Sequence, residues 1–559
     1  MKLNMRWQLL FAVTGFSLVF ALLSYHVQSE SRLCTERFAT SGGTFVEGVF
    51  GAPEYINPLL ADDNPVDRQL VELIFDGLTR YENGILVPAL AESWEVSEDG
   101  RTVQFQLLND TVWHDGEPFT AEDVAFTYSL MQDEDFPGDP ARQRLWQAVD
   151  IRVISPEAIE FVLREPYSGF LDATTTGILP AHLLAGISAG DLLEQNFNRY
   201  PIGTGPFVVG TDQDWMADGI LRLTPSAADW PQGVRISDIG FRFFPSEDSL
   251  VDAFKAGEIQ AINNVSPAML PAVIQDPEVR LFSAPASEYS SLLFNLGETG
   301  SDATRSSEIR HALAYGLDRE KIIDQALNGQ GIALNGPYLP DSWAYQPDTL
   351  TLYTSQPISA TIGLESAGWL MPEGSDKREK DGNPMILRLL AFNTPTNRAV
   401  AEEIEVQWKE LGISPLMNLF SDWRDFRRAL SNGDFDVALV NVRPSGDPDL
   451  YDFWSQEAII QGQNYAGWNR RRASEALEEA RQIWPADERL PLYQAFLRYY
   501  DEDLPELSLY QHIYTYAVNG SVEGISIGRI DDTRDRYTSL ANWIMSYQDI
   551  TVVCPEKET

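Results

Sequence analysis

Residues that commonly perform catalysis or hold metals are few in this chain, and their spacing suits neither task. The two cysteines, Cys34 and Cys554, are too far apart in sequence to form a local pair of thiolate ligands. No His-Glu-x-x-His helix occurs, and none of the five histidines forms a pair at metal-ligand spacing. These histidines are His26, His114, His182, His311 and His512. The sequence therefore predicts no metal site and no cofactor.

Two short segments resemble hydrolase chemistry in form. Gly186-Ile187-Ser188-Ala189-Gly190 matches the nucleophile elbow of α/β-hydrolases, but that elbow requires a strand entering the turn. Residues 180–184 instead have the pattern of a short helix begun by proline, which favours a helix-ending loop at Ser188. His114 and Asp115 could form an acid-base pair, but adjacent residues on a turn tend to point apart. A secreted hydrolase is the weaker alternative.

Composition and charge indicate which class of protein would position any functional site. A hydrophobic content of 44% with 11% aromatic residues is typical of a folded protein with ample core. The length of 559 residues predicts several domains, about three or four by the usual domain size. The net charge of −42 is spread along the chain, which favours solubility. It disfavours nucleic-acid binding, because phosphate contacts need clustered Lys and Arg.

The N-terminus has the pattern of an export signal. Lys2 and Arg6 precede an apolar run from Leu9 to Leu23, which is shorter than the roughly 20 residues of a membrane-spanning helix. Residues 1–30 are therefore expected to be a cleaved signal or a retained N-terminal membrane anchor, and either places the remaining chain outside the cytoplasm. In that oxidising compartment Cys34 and Cys554 could pair as a disulfide or remain two free thiols.

Local patterns alternate between strand and helix, which predicts a mixed α/β fold. Residues 103–107 alternate apolar and polar side chains as a half-buried strand does, and Thr120 and Ser246 have the position and chemistry of helix N-caps. Helical spacing without an internal proline predicts continuous helices over residues 309–327 and 398–411.

A series of segments resembles the family 5 extracellular solute-binding proteins, the peptide and nickel binders of ABC importers. The most specific segment is Trp113 to Val124, a turn leading into a capped helix. The resemblance covers about residues 43–527. Its other segments are Asn57-Pro58-Leu59, Phe75 to Thr79, Leu86 to Trp94, Ile202 to Phe207, Leu292 to Asn295 and Ile309 to Arg319.

The resemblance implies a two-lobed, periplasmic-binding-protein-like α/β fold with an extra domain and a ligand cleft between the lobes. Residues 43–85, 200–300 and 510–550 would form the discontinuous core of lobe I. The extra domain would be residues 86–199, and lobe II would be residues 301–509. Closure of the lobes around a solute would be a hinge motion.

The same resemblance implies where ligand contacts should be sought. Peptide binders of the family commonly carry an aspartate shortly before a Gly-Asp-Pro-Asp-like stretch, and here residues 441–445 contain none. Arg443 would favour a carboxylate or another anion if it faces the cleft, whereas the alternative is that Asp447 or Asp449 takes the charge of an amine. The full set of expected contacts is Phe294, Asn295, Arg443, Asp447, Asp449, Tyr451, Trp454 and Trp468.

The function that these features favour is an extracytoplasmic, non-catalytic substrate-binding protein of an ABC importer. Its expected partners are a peptide or another small solute and the permease subunits, and it is expected to act as a monomer without nucleic acid. Membrane contact would arise through the N-terminal helix if that helix is not cleaved. A membrane-anchored sensor ectodomain is the main alternative, because the same fold can signal when an N-terminal helix holds it.

Overall fold

The computed structural model describes residues 12–23, 33–82, 84–210, 214–230, 233–444, 446–528, 530 and 532–553. Within the predicted signal or anchor, residues 12–23 form a helix whose side chains are exposed, and the remainder of residues 1–30 lies outside the described ranges. None of the helices in these ranges is both long enough and apolar enough to cross a membrane.

A mixed sheet, with eleven strands in the described residues, runs through the whole molecule. Gly331–Ala333 pairs with the strand Glu506–Val518, outside the main path of the sheet. The strands along the main path are, in spatial order, Ser414–Phe420, Ile386–Phe392, Val437–Val442, Arg280–Phe294, Glu506–Val518, Ala261–Ile262, Thr44–Phe50, Asp238–Phe244, Ile220–Pro225 and Phe207–Val209.

Separate hydrophobic cores divide the molecule into two lobes. The cores of the first lobe are built from buried side chains of residues 45–273 and 516–543. Those of the second lobe come from residues 292–510. Because burial of apolar surface supplies most of the stabilisation in a core, each lobe is held together mainly by its own contacts.

Two long antiparallel strands, Arg280–Phe294 and Glu506–Val518, carry the sheet from one lobe to the other. Their register shifts between Pro285 and Tyr289, so that residues 286–288 form an irregularity midway along the pair. Such a bulge bends the strand and increases its twist. The crossing is therefore a natural hinge, since few other backbone pairings join the lobes.

A smaller antiparallel sheet belongs to the first lobe, with strands in the order Ala91–Val96, Thr102–Leu107, Ala158–Leu163 and Val149–Ser155. The predicted strand at residues 103–107 is confirmed within it. The helix predicted after Thr120 is Ala121–Gln132, begun by a capping box between Thr120 and Asp123. Shorter strand pairs are Thr79–Glu82 with Ile85–Pro88 and, in the second lobe, Glu379–Lys380 with Asn383–Pro384.

Helices cover both lobes. Those of the first lobe are Pro65–Ile74, Ala121–Gln132, Pro140–Gln147, Phe170–Ala173, Ala181–Leu184, Trp215–Asp218, Glu247–Lys255 and Leu270–Val273. Those of the second lobe are Asp302–Arg305, Ser307–Tyr315, Arg319–Ala326, Pro357–Ser366, Pro395–Glu410, Trp423–Asn432, Tyr451–Trp454, Ala458–Gln461, Arg471–Arg481 and Ala486–Asp503. Single 3₁₀ segments occur at Ala61–Asp63, Ala189–Glu194, Asn196–Asn198, Pro347–Thr349, Thr533–Tyr537 and Leu540–Asn542.

Among the other predicted helices, the continuous helix at residues 309–327 is wrong, whereas the helices at residues 180–184, after Ser246 and at residues 398–411 are confirmed. Residues 309–327 form two helices, because Asp318 takes an extended backbone and its carboxylate accepts the Lys321 N–H at 3.0 Å, starting a second helix. The helix predicted at residues 398–411 is part of Pro395–Glu410. Ser246 caps Glu247–Lys255 as expected, accepting the Ser249 N–H at 3.2 Å.

The described ends of the chain pair with each other. Leu33–Ala39 and Tyr547–Val553 form an antiparallel two-stranded ribbon in which Leu33 lies opposite Val553 and Cys34 opposite Val552. Cys554 lies outside the described residues, so the bridge between Cys34 and Cys554 stays a prediction.

Candidate ligand-binding site

Arg443 is an exposed cation at the boundary between the lobes. It follows the second-lobe strand Val437–Val442, and its side chain is 47% exposed. Its Nη2 lies 3.5 Å from Oε1 of Glu72, on the first-lobe helix Pro65–Ile74. Because the two residues belong to different lobes, this ion pair bridges the cleft.

Glu72 is held by its own lobe. Its Oε2 accepts hydrogen bonds from the backbone N–H of Thr533 at 2.9 Å and from the Thr533 hydroxyl at 2.6 Å. Arg68 lies one helical turn before Glu72 and therefore on the same helix face. Burial lowers the pKa of Arg68, and the positive charge of Arg443 lowers it further. The nearby carboxylate of Glu72 opposes this shift, and the Arg68 guanidinium donates to the carbonyl of Asp62. We refer to Arg68, Glu72 and Arg443 as the open contact.

Polar groups of the hinge strands lie beside the open contact. The Ser290 hydroxyl donates to Oδ1 of Asn441 at 3.0 Å and also contacts Nε2 of His512 at 2.7 Å. Burial lowers the pKa of His512, although the carboxylate of Glu288 opposes that shift. Asn441 is exposed and lies two residues before Arg443, which places both side chains on one face of the chain. Ser290 is completely buried, so Asn441 is the exposed neutral group of this set beside Arg443.

Asp447 makes a second bridge between the lobes, and this one is buried. Both Asp447 carboxylate oxygens accept from Arg489, at 2.6 and 2.5 Å. The Asp447 backbone N–H donates to Oδ2 of Asp172 in the first lobe at 2.7 Å, and Tyr81 donates its hydroxyl to the other Asp172 oxygen. Burial raises the pKa of Asp172 to about 6, and the hydrogen bonds from Tyr81 and Asp447 limit that rise.

Asp449 extends this buried bridge through Arg481. The two side chains are 3.0 Å apart, and the guanidinium of Arg481 lies over the rings of Tyr167 and Tyr451, at 4.7 and 4.4 Å from their centroids. Ser168 of the first lobe donates its backbone N–H to the Arg481 carbonyl at 2.8 Å. We refer to the whole set as the buried contact, which comprises Tyr81, Tyr167, Ser168, Asp172, Asp447, Asp449, Tyr451, Arg481 and Arg489.

The other predicted contact residues are packed against protein. Phe294 is completely buried in the second-lobe core, and the amide of Asn295 donates to the carbonyls of Gly433 and Phe435 at 3.0 and 2.9 Å. The rings of Trp454 and Trp468 are 5.9 Å apart in the second-lobe core. These four side chains support the cleft wall in this arrangement, so their role as ligand contacts stays a prediction.

The residues considered for hydrolysis have structural partners. Nδ1 of His114 accepts from the Gly203 N–H at 3.2 Å, and its Nε2 contacts the Gly205 carbonyl at 2.9 Å. Asp115 instead pairs with His182 at 2.9 Å, so His114 and Asp115 point to different partners. Ser188 precedes a 3₁₀ turn and donates to Asp191 at 2.7 Å. In the described ranges, no group of three or more His, Cys, Asp or Glu could hold a metal ion.

Sequence reasoning missed Arg68, Glu72 and Asp172. The Arg68 and Glu72 pair has the spacing of one helix face, which is the only local signal that either residue offers. Their partners are remote: Arg443 is 371 positions from Glu72, and Asp447 is 275 from Asp172.

Two lobes joined by a pair of shared strands, with charged groups of each lobe meeting across the cleft, define a two-lobed solute-binding protein. The family model for bacterial extracellular solute-binding proteins, family 5, matches residues 86–458, and the chain belongs to this family.

Known proteins with similar sequences or structures agree with this family. The oligopeptide-binding protein AppA of Bacillus subtilis is 26% identical over 517 residues, which cover 90% of this chain and 92% of that protein. The nickel-binding periplasmic protein of Escherichia coli is 29% identical over 375 residues, covering 64% of this chain and 67% of that protein. The solved structure of AppA in complex with a nonapeptide has the same fold, with a TM-score of 0.74, 24% identity and coverage of 91% of this chain and 100% of that one.

Proposed function

We propose that this protein is the extracytoplasmic substrate-binding component of an ABC importer, capturing oligopeptides or a similar small solute by lobe closure and delivering it to permease subunits. The proposal includes action as a monomer, without catalysis of a reaction. Its support comes from the family, whose members are binding proteins, and from relatives described as binding oligopeptides or nickel.

The observation that carries the closure mechanism is the pairing of Arg280–Phe294 with Glu506–Val518 across the lobe boundary. A bulged two-strand connection can bend while each lobe core stays intact. Side chains of both lobes meet across the cleft at the open and buried contacts, so closing brings groups of both lobes onto one solute. We propose that residues 43–85, 200–300 and 510–550 belong to lobe I, residues 86–199 to its extra domain and residues 301–509 to lobe II, except that the strand end at Leu292 and Phe294 packs in the second-lobe core.

Identification of the solute tests the ligand class. Protein purified natively after export is analysed by native mass spectrometry, and any co-purified solute is released and sequenced or fragmented. Ligand-free protein is then titrated calorimetrically with that solute. Release of peptides that rebind in a one-to-one ratio is the expected result, whereas exclusive retention of sugars or inorganic ions would contradict the peptide assignment.

Closure is measured separately by small-angle X-ray scattering with and without the solute. A decrease in the radius of gyration on binding is expected, because hinge closure shortens the molecule. Binding with an unchanged radius in solution would contradict lobe closure even if the ligand is a peptide.

A further inference from the structure

A carboxyl group is buried in the second lobe without a cation beside it. Glu506 is the first residue of the hinge strand Glu506–Val518 and lies opposite Leu293 of the other hinge strand. It is 2% exposed, and its Oε1 accepts no hydrogen bond from any residue that the structure describes. Within the same residues, no lysine, arginine or histidine forms an ion pair with it. Because an isolated ionised carboxylate is costly to bury, such a group tends to hold a proton.

A small polar cavity adjoins Glu506. Its volume of about 10 Å³ is enough for one water molecule. Tyr500 and Ser508 line it together with Glu506. The Ser508 hydroxyl donates to the Gly336 carbonyl at 2.7 Å, whereas the buried Tyr500 hydroxyl has no hydrogen-bond partner among the described residues. A neutral carboxylic acid both donates and accepts hydrogen bonds, so one water molecule between Glu506 and Tyr500 would satisfy both groups without a cation.

The charged groups around this cavity are bonded elsewhere. Asp501 accepts the backbone N–H and the hydroxyl of Thr351 at 2.7 and 2.9 Å. Arg319 is buried and donates to backbone carbonyls, among them that of Ser508 at 3.0 Å. Neither charge therefore neutralises an ionised Glu506. Burial raises the pKa of every other titratable side chain described near the cavity, so these groups stay neutral near neutral pH. They are Tyr289, Tyr338, Tyr353 and Tyr500.

The surroundings of Glu506 strengthen proton binding when the protein folds. Burial raises the pKa of Glu506 to about 7 from its usual 4.5, and the nearby hydroxyls of Ser291 and Tyr289 limit that rise. The folded chain therefore holds a proton over a range of pH in which the unfolded chain has released it. The stability that this proton contributes is complete below about pH 4.5 and is lost as the pH rises through about 7.

We propose that Glu506 is a proton-binding site of the hinge, whose carboxyl group is neutral in the folded protein near neutral pH and whose ionisation loosens the second-lobe end of the hinge strands. Leu293, opposite Glu506, and Leu507, which follows it, pack in different cores of the second lobe. The Phe294 N–H donates to the Pro505 carbonyl at 2.9 Å. A charge at Glu506 would thus lie between two cores, where the strand pair enters the lobe. The inference does not depend on which solute the cleft holds.

Infrared spectroscopy of the exported chain tests the protonation directly, because a carboxylic acid has a C=O stretching band that a carboxylate lacks. For wild type and Glu506→Gln, the spectrum at about pH 9 is subtracted from that at about pH 6, so that bands independent of pH cancel. The wild type is expected to show more acid-band intensity than the variant, by the equivalent of about one carboxyl group. Equal intensities would show that Glu506 is already ionised at the lower pH and would overturn the proposal.

Urea denaturation between about pH 5 and 7 tests the effect on the fold. The unfolding constant of the wild type should rise by up to about 10-fold per pH unit relative to that of Glu506→Gln, whose amide stays neutral. Glu502→Gln is the matched control, since Glu502 lies on the preceding helix with its side chain 62% exposed. Its pH dependence should follow that of the wild type. Parallel curves for wild type and Glu506→Gln would contradict a proton held by the folded state.

Ser291→Ala provides a second variant that keeps the carboxyl group in place. Removing a hydroxyl that favours the ionised form should move the loss of the acid band to higher pH. This variant tests the site even if Glu506→Gln does not fold. An acid band that disappears at the same pH in Ser291→Ala and in the wild type would assign the titration to a carboxyl group other than Glu506.

Discussion

The two bridges between the lobes differ in how completely protein groups satisfy them. In the buried contact, Arg489 is 3% exposed and forms two short bonds to Asp447, and Arg481 lies between two tyrosine rings beside Asp449. In the open contact, Arg443 is 47% exposed and makes one long bond. The charged groups of the buried contact are bonded to other protein groups, whereas the Arg443 guanidinium of the open contact keeps N–H donors that are exposed.

This difference distinguishes residues that fix the geometry of the cleft from residues that are available to bind a solute. A buried ion pair whose partners are fully bonded fixes the local geometry. Removing one partner is strongly destabilising, because it leaves an uncompensated buried charge. A half-exposed pair contributes little to stability. The open contact can therefore take part in solute recognition without destabilising the protein. Variants of the buried contact should mainly lower the free energy of unfolding, whereas variants of the open contact should mainly weaken solute binding.

The largest expected effect follows from Arg489→Ala in the buried contact. Removing the guanidinium deprives the buried Asp447 carboxylate of its bidentate partner, and we expect a loss of about 3–5 kcal/mol in the free energy of unfolding. Urea denaturation followed by tryptophan fluorescence measures it. The control Arg471→Ala, which removes an arginine of the same lobe that is 79% exposed, should change it by less than about 0.5 kcal/mol. Equal small losses in both variants would contradict the contrast between the bridges.

The next largest effect is expected from the protonation of Asp172 in the buried contact. Burial raises the Asp172 pKa to about 6 from 3.8, so the closed protein holds this proton more tightly than an exposed aspartate does. The contribution of Asp172 to closure is thus most favourable below about pH 4 and is lost as the pH rises to about 6, by at most about 3 kcal/mol. Solute affinity titrated between pH 4 and 7.5 should show this trend, and Asp172→Asn should remove it. An unchanged slope in Asp172→Asn would assign the dependence to other groups.

Gly446 tests the fit of the buried contact with a smaller change. A Cβ at this position would lie 1.9 Å from Cζ of Tyr81, so Gly446→Ala forces the ring or the lobe to move. We expect closure to become less favourable by about 1–3 kcal/mol, measured as weaker solute binding. Adding Tyr81→Ser makes room and should recover part of the affinity. No loss in the single variant would show that the lobes approach less closely.

The smallest expected effect on stability belongs to the open contact. Arg443→Ala removes a half-exposed ion pair, and we expect the free energy of unfolding to change by less than about 1 kcal/mol. Denaturation at low and at high salt should give nearly the same difference from the wild type. A loss comparable to that of Arg489→Ala would mean that Arg443 supports the fold instead of the ligand.

Features set by nearby residues were predictable from the sequence. The helix cap at Thr120 depends on Asp123 three residues away, and the strand at residues 103–107 is marked by its own alternation. The break at Asp318 shows the limit, because apolar spacing continued across it while the carboxylate favoured a new helix start. Helical periodicity alone does not detect a cap inside an apolar pattern.

The site was predictable only in part, for a different reason. Arg443 could be singled out because it lies shortly before the Gly-Asp-Pro-Asp stretch, where the resemblance implies an aspartate that residues 441–445 lack. Its partner Glu72 and the neighbouring Arg68 depend on two lobes meeting in space, which no local pattern records. Asp447 and Asp449 were expected to face a ligand, yet each carries an arginine partner from its own lobe that is remote in sequence.

The strands shared at the hinge also limit how this protein can be divided. Arg280–Phe294 and Glu506–Val518 each contribute one end to each lobe, so a gene fragment encoding a single lobe would truncate both. The remaining strand ends would expose unpaired N–H and C=O groups, which promote edge-to-edge aggregation. Biosensor designs that split a protein into two complementing halves should therefore place the break in a surface loop within one lobe, leaving the strand pair uncut.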